Sequence, residues 1–203
     1  KGEDEEEEAG CYCGVESDFG LWIQCELCSV WQHPKCVGIT QGKGESDQEF
    51  SDRVTNLDAY TCPSCYLKLD PIESKATLIV CPSSILYQWK TEIETRIRPG
   101  ALSVFIYEGV TNSPCLPPSL ASYDIVLTSY DVLRTEIHFE GNPRPLRGKK
   151  KYQVFPSPLP QILWWRICLD EAQMIESSTA NSAKMALRLP AVNRWCVTGT
   201  PVK

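Results

Sequence analysis

Seven cysteines and one histidine fall in four close pairs: Cys11-x-Cys13, Cys25-x2-Cys28, His33-x2-Cys36 and Cys62-x2-Cys65. Thiolate and imidazole are ligands that zinc favours, and eight of them satisfy two tetrahedral ions with none left over. A pair separated by one or two residues can turn both side chains toward one metal, because the turn between them is tight. Disulfides are the alternative chemistry. An odd number of thiols, a histidine inside the pattern and an acidic N-terminus unlike a secretory signal argue against them. Only four further cysteines follow: Cys81, Cys115, Cys168 and Cys196.

These ligands need a scaffold that cannot build itself from apolar burial alone. Residues 10–68 are rich in Cys, Gly and turn residues, show little helical periodicity, and are too few to bury a sufficient core without staples. Residues 1–9 read as an acidic tail. From residue 77 the texture changes. Nearly continuous apolar runs occur at Thr77–Cys81, Ser103–Tyr107, Asp124–Thr128, Ile162–Leu169 and Arg194–Thr198, as expected of strands buried on both faces of a parallel sheet. Helices are predicted between them. Ser83–Arg98 spaces Ile85, Trp89, Ile93 and Ile97 four apart, with Ser83 after Pro82 as its cap; Tyr130–Ile137 and Ser178–Leu187 are shorter. The fold class is therefore a small zinc-stapled finger followed by an α/β doubly wound parallel sheet. Two stretches interrupt the alternation. Thr111–Ser122 is rich in Pro and Ser and reads as a loop. Glu140–Pro160 carries Arg144, Arg147, Lys149, Lys150, Lys151 and five prolines, and reads as a basic insertion, mobile or in contact with a partner.

The 203 residues carry a formal net charge of −6, with 42% hydrophobic and 23% charged residues, a globular balance that excludes wholesale disorder. No run approaches the roughly 18 apolar residues of a membrane span, so no membrane partner is expected. The charge is unevenly divided. Residues 1–70 hold 5 Lys+Arg against 15 Asp+Glu; the remainder holds 15 against 11. An acidic module followed by a mildly basic one suggests different partners, although a run of glutamates is also what a solvated tail looks like.

The order of ligands, four cysteines, then His33, then three cysteines, with Trp31 two residues before His33 and the exit Cys36-Val-Gly38, resembles a plant homeodomain (PHD) finger. The resemblance implies a cross-brace: Cys11, Cys13, His33 and Cys36 on one zinc, and Cys25, Cys28, Cys62 and Cys65 on the other. It also implies binding of a nucleosome or histone tail. Readers of trimethyl-lysine surround the ammonium with aromatic faces. Trp22 and Trp31 stand where two walls would be, whereas Gly10 and Ser17 occupy positions of further walls, so the cage is incomplete. The alternative is that Trp22 and Trp31 only pack the finger's small core.

Four motifs in order resemble those of Swi/Snf-type helicase-like ATPases: Thr77-Leu-Ile-Val-Cys-Pro-Ser-Ser84 with Gln88-Trp89 (motif Ia), Asp124-Ile-Val-Leu-Thr-Ser-Tyr130 (Ib), Trp165-Arg-Ile-Cys-Leu-Asp-Glu-Ala-Gln173 (II) and Arg194-Trp-Cys-Val-Thr-Gly-Thr-Pro201 (III). The resemblance implies a RecA-like lobe over residues 69–203 that handles Mg-ATP. Ligands of a doubly wound sheet sit at the carboxyl ends of its strands. Asp170 closes an apolar run there and suits Mg²⁺ beside phosphates; Glu171 is then placed to orient or deprotonate water. Gln173, Thr198 and Thr200 are nucleotide-site candidates by the same resemblance. Ser83, Ser84 and Thr128 offer hydroxyls to DNA phosphates, or serve only as caps and turns.

The nucleotide cradle is missing from these residues. A P-loop needs Gly-Lys-Ser/Thr after a strand, and neither Gly42-Lys43 nor Gly148-Lys149 has that context. The chain thus reads as a piece of a longer protein, inactive toward ATP by itself, with a finger inserted just before motif Ia. That arrangement resembles ubiquitin ligases built on a Swi/Snf-type ATPase with a RING finger elsewhere. It implies a nuclear protein that works with ubiquitin-conjugating enzymes on the replication sliding clamp in post-replication DNA repair. No RING ligand set remains once the finger has taken its eight. The rival reading is a chromatin-binding module on a helicase-like scaffold without useful hydrolysis.

Overall fold

A computed structural model describes residues 10–14, 20–139 and 154–199. The acidic tail, Ser17, Thr200 and residues 140–153 of the basic insertion lie outside the described residues. The elements, in chain order, are β1 (Ile23–Gln24), β2 (Trp31–Gln32), α1 (Asp47–Thr55), α2 (Pro63–Tyr66), β3 (Ile72–Glu73), β4 (Thr77–Cys81), α3 (Leu86–Arg96), β5 (Val104–Ile106), α4 (Pro117–Ala121), β6 (Ile125–Ser129), α5 (Tyr130–Glu136), β7 (Ile162–Asp170), α6 (Asn181–Arg188) and β8 (Ala191–Val197).

The apolar runs become one parallel sheet. β7 pairs with β4 and β8 through the same residues: Ile167 is opposite Leu78 on one edge and Arg194 on the other, so β7 lies between them. β4 continues to β6 and β6 to β5, and short β3 pairs with the start of β7. Period-two alternation sends Leu78, Val80, Val126, Ile167 and Leu169 to one face, where α5 and α6 cover them with Leu133, Met185 and Ala186. Ile79, Cys81, Leu127 and Cys168 point the other way, against Leu86, Trp89 and Ile93 of α3. Helices thus cover both faces, as the sequence predicts for a doubly wound sheet. No helix among the described residues is long and apolar enough to cross a membrane.

Local chemistry explains three departures from the sequence expectation. The finger, read as having little helical periodicity, contains a helix, α1, because Ser46 and Glu49 form a reciprocal capping box and Phe50 and Val54 turn into the finger's core. The loop expected at 111–122 closes with α4, started by Pro117 and buried through Leu120. Ser83 does not cap α3: it opens a 3₁₀ turn, Ser83–Ile85, and its hydroxyl donates to Asp131 Oδ2 at 2.8 Å.

The finger is seated on the lobe. Gly38 adopts φ +82°, and a Cβ there would lie 2.1 Å from the Pro114 carbonyl oxygen and 2.7 Å from Cys115 Cα, so only glycine permits this approach. Leu116 and Phe155 pack against the finger's core, and the Phe155 and Tyr12 rings lie 5.0 Å apart. Phe155 belongs to the described end of the basic insertion. There Pro156, Ser157 and Leu159 are buried, so residues 154–160 form a packed strap rather than a mobile loop.

A buried carboxylate fastens this strap. Glu136, at the end of α5, is 1% exposed. It accepts hydrogen bonds from the Tyr107 hydroxyl (2.6 Å), the Val110 backbone N–H (2.7 Å) and the Ser157 hydroxyl. Burial holds its carboxyl above the ordinary 4.5 despite these donors. The proton therefore favours the folded state: the residue's contribution to stability is largest below about pH 4.5 and declines as pH rises through the folded value. Gln at this position keeps an acceptor for Tyr107 and Val110 and gains a donor for Ser157. Denaturant titrations should show Glu136→Gln gaining on the unmodified protein as pH rises toward neutrality. Glu136→Ala, which leaves the donors unpaired, should lose about 3 kcal/mol. A Glu136→Gln difference that does not vary with pH would contradict the burial of a charge-bearing group here.

Candidate metal centres and nucleotide site

The finger's ligands come together from four turns. β1 and β2 form a short antiparallel ladder, Ile23 opposite Gln32 and Gln24 opposite Trp31, which delivers Cys25 and His33 from their ends. The 3₁₀ turn Pro34–Val37 carries Cys36, and Cys62 and Cys65 sit at the start of and within α2. Two clusters result, Cys11–Cys13–His33–Cys36 and Cys25–Cys28–Cys62–Cys65, in each of which all ligand atoms lie within 4.8 Å of one another. The division is the one the PHD resemblance implies.

The donor geometry suits a tetrahedral ion. Zn–S bonds of about 2.3 Å put sulfurs roughly 3.8 Å apart, and Cys28 Sγ to Cys62 Sγ is 3.7 Å. His33 Nδ1 faces Cys11 Sγ at 3.2 Å and Cys13 Sγ at 3.3 Å. Backbone N–H groups of His33 and Cys62 point at the sulfurs of Cys11 (3.3 Å) and Cys25 (3.2 Å), where they offset thiolate charge. Burial, together with the neighbouring Cys11 and Cys13, pushes the Cys36 thiol up to about 12. Burial likewise raises Cys65 to about 11. Burial would raise Cys25 too, but backbone N–H groups of Cys62, Leu27 and Cys28 outweigh it and bring that thiol down to about 7. Thiols raised in this way favour the neutral form unless a cation lies beside them.

Trp22 and Trp31 are both half-buried. The Trp22 ring lies over His33 with centroids 3.8 Å apart, so that face is closed to a ligand and braces a candidate metal ligand. This favours packing over a cage wall for Trp22. Trp31 belongs to β2, and neither indole N–H has a hydrogen-bond partner among the described residues. Gly10 is packed against Val30, 2.6 Å from where its Cβ would be, leaving no room for an aromatic wall there.

The second constellation lies at the carboxyl end of the parallel sheet. Asp170 ends β7. Its Oδ2 accepts from the Trp89 indole N–H at 2.8 Å, its Oδ1 accepts from the Glu171 backbone N–H at 3.0 Å, and its carbonyl accepts from the Tyr130 hydroxyl at 2.7 Å. Glu171 leaves the strand in the left-handed region (φ +50°, ψ +50°), a conformation that costs a residue with a side chain about 1 kcal/mol. Gln173 Nε2 donates to Glu171 Oε2 at 2.6 Å, and the Thr198 hydroxyl donates to Gln173 Oε1 at 2.6 Å. Asp170, Glu171, Gln173 and Thr198 are therefore joined in one network. Cys81 and Cys168 are buried beside Asp170; burial and then the carboxylate's charge push the Cys81 thiol up to about 12, so it is neutral packing rather than a nucleophile. The carboxylate pair suits a hard divalent cation, while a phosphate cradle does not occur in these residues.

The candidate DNA hydroxyls divide. Ser83 and Ser84 are exposed at the start of the α3 segment. Thr128 is fully buried, and its hydroxyl donates to the Tyr107 carbonyl at 2.9 Å. It holds β6 and the end of β5 together and presents nothing to a phosphate, which corrects its assignment. Sequence reasoning gave Trp89 and Tyr130 no role. Their position in motifs Ia and Ib was visible, but nothing in the spacing tells that both side chains reach Asp170.

The model of the SNF2-related domain family matches residues 8–203. The E3 ubiquitin-protein ligase SHPRH of Mus musculus and that of Homo sapiens are each 41% identical to the chain over 203 residues, covering 95% of it. DNA repair protein RAD5A of Arabidopsis thaliana is 38% identical over 132 residues, covering 65% of it. The chain spans 11–12% of the length of these curated relatives.

The ligand geometry gives a direct expectation. Elemental analysis of the purified chain should find two zinc ions, and Cys28→Ser or Cys65→Ser should unfold the finger while leaving one ion in the other cluster at most. Because thiol protons must leave as the metal binds, zinc affinity should fall as pH falls. A single ion in the unmodified chain, or a disulfide among the eight positions, would rule the assignment out.

Proposed function

The chain belongs to the SNF2-related domain family, and from that premise we propose that residues 69–203 supply part of the first lobe of a DNA-dependent ATPase. Residues 10–68 form a two-zinc PHD-type finger inserted into that lobe. The observation that carries this reading is the network at the sheet's carboxyl end, in which residues of all four motifs converge on the acidic pair: Trp89 and Tyr130 on Asp170, and Thr198 through Gln173 on Glu171. In this reading Asp170 holds Mg²⁺ on a nucleotide, and Glu171 orients or deprotonates the attacking water. Ser83 and Ser84 contact DNA phosphates. Thr200 completes the nucleotide side.

The phosphate cradle comes from another stretch of a longer polypeptide. The outer edge of β8 is unpaired among the described residues and carries exposed Trp195 and Val197, which gives a further strand a place to join. By itself the 203-residue chain is not expected to turn over ATP. Two relatives bear the name E3 ubiquitin-protein ligase and a third the name DNA repair protein. They support a nuclear parent that couples the ATPase to ubiquitin transfer in DNA repair, with ubiquitin-conjugating enzymes and the replication sliding clamp as partners. The finger's partner in this reading is a nucleosome or histone tail.

Two measurements check the proposal. In the full-length protein, Glu171→Gln should retain nucleotide binding and lose DNA-stimulated phosphate release, because it removes the water-activating carboxylate with little change of shape. Release at the unmodified rate would reduce the acidic pair to a strand-end turn on a scaffold. In histone-peptide titrations the finger should show little or no preference for trimethylated lysine, since Gly10 supplies no wall and Trp22 is covered by His33. Tight binding that requires the methyl groups would contradict this.

A further inference from the structure

Helix α3 reaches the acidic pair through one side chain. Trp89 lies on the face of α3 that packs on the sheet, among Ile79, Cys81, Leu86, Ile93 and Cys168. From there its indole N–H donates to Asp170 Oδ2 at 2.8 Å, across 81 residues of sequence. The Glu171 backbone N–H takes Oδ1, and the Tyr130 hydroxyl takes the Asp170 carbonyl. Two donors in different directions fix the plane of the carboxylate, and only one of them, Trp89, rides on a separate helix. The segment that leads into α3 begins with exposed Ser83 and Ser84, and Ser83 is tethered to Asp131 on α5. A force on that segment therefore reaches the metal-binding acid by a short path: 3₁₀ turn, α3, indole, carboxylate.

Resting on the ATPase reading above, we propose that Trp89 is a positioning residue that makes cation binding at Asp170 depend on how α3 is seated. DNA held by the Ser83–Ser84 turn would then tighten cation binding without touching the cation. An indole N–H bonded to one oxygen restricts rotation of the carboxylate, and partners of metal ligands commonly change affinity by an order of magnitude or more. Phe at position 89 keeps most of the ring packing and removes only the donor.

The test measures cation binding rather than turnover. Mn²⁺ is titrated into the full-length protein with ADP, with and without duplex DNA, and free Mn²⁺ is followed by its paramagnetic resonance signal. The unmodified protein should bind Mn²⁺ more tightly when DNA is present. Trp89→Phe should weaken Mn²⁺ on the order of tenfold and remove the effect of DNA. Ile93→Ala, which loosens α3 against the sheet but keeps the indole donor, should weaken Mn²⁺ less than Trp89→Phe and shrink the DNA effect; an unchanged response would overturn the dependence on the seating of α3. Equal behaviour of Trp89→Phe and the unmodified protein overturns the proposal, as does a DNA effect absent from the unmodified protein. If Trp89→Phe does not fold, the unmodified protein decides: Mn²⁺ must broaden the indole resonance of Trp89 before those of the other tryptophans, and broadening of another indole first overturns the assignment. The function itself is judged separately. Absence of phosphate release with an intact Mn²⁺ response would sink the ATPase reading and leave the role of Trp89 standing.

Discussion

The parallel register of β7 between β4 and β8 is the constraint on which the site depends. Pairing of Leu169 with Val80 on one edge and of Asp170 with Val197 on the other brings the ends of three strands to one level. Asp170 can then be met by Trp89 from α3 and Tyr130 from α5, while Thr198 follows directly on β8. A slip of one residue would send Ile167 and Leu169 to the α3 face and turn Asp170 toward α6. The buried side chains that prevent this include Trp164, Ile167 and Leu169, each worth about 2 kcal/mol or more in apolar burial. Core packing and site geometry are thus the same fact seen from two sides.

The finger adds a second constraint of a different kind. Its core is a small set of residues around Cys25, Val37, Phe50 and Tyr60, and beside it lie two Cys/His clusters that could each hold a metal ion. It is nonetheless continuous with the lobe. Gly38, two residues after Cys36, presses backbone to backbone on Pro114 and Cys115, and Phe155 of the strap meets Tyr12. The strap is held by Glu136 on α5, whose other end supplies the Tyr130 hydroxyl to Asp170. The finger's candidate ligand clusters and the acidic end of the sheet are therefore joined by packed structure.

Much of this was legible in the residues. The ligand pairs appear as spacing, because two ligands on one tight turn must lie close in sequence. Buried parallel strands appear as unbroken apolar runs, and β4 runs over Thr77–Cys81, the residues read as a strand. Contacts across the fold were not legible. The Ser46–Glu49 capping box could have revealed α1, but its acidic surroundings hid the two core residues, Phe50 and Val54. Thr128 looked like an available hydroxyl because sequence does not say which way a strand residue points. Glu136 lies within the helix predicted over Tyr130–Ile137, and nothing in the sequence marks it as buried. Its burial depends on Tyr107, from earlier in the chain, and on Ser157, from the far end of the basic insertion. Trp89 and Asp170 illustrate the general limit: motif order identifies both, while the bond between them exists only once the sheet is assembled.

The central claim is that Asp170 is the cation-binding acid of a nucleotide site completed by other parts of a longer chain. The most direct measurement is a structure of the full-length protein with Mg²⁺ and a non-hydrolysable ATP analogue. Mg²⁺ should lie within about 2.1 Å of an Asp170 carboxylate oxygen, or about 4 Å if one water intervenes, with Trp89 still bonded to the other oxygen. A nucleotide bound elsewhere, or an Asp170 carboxylate turned away from the metal, would contradict it.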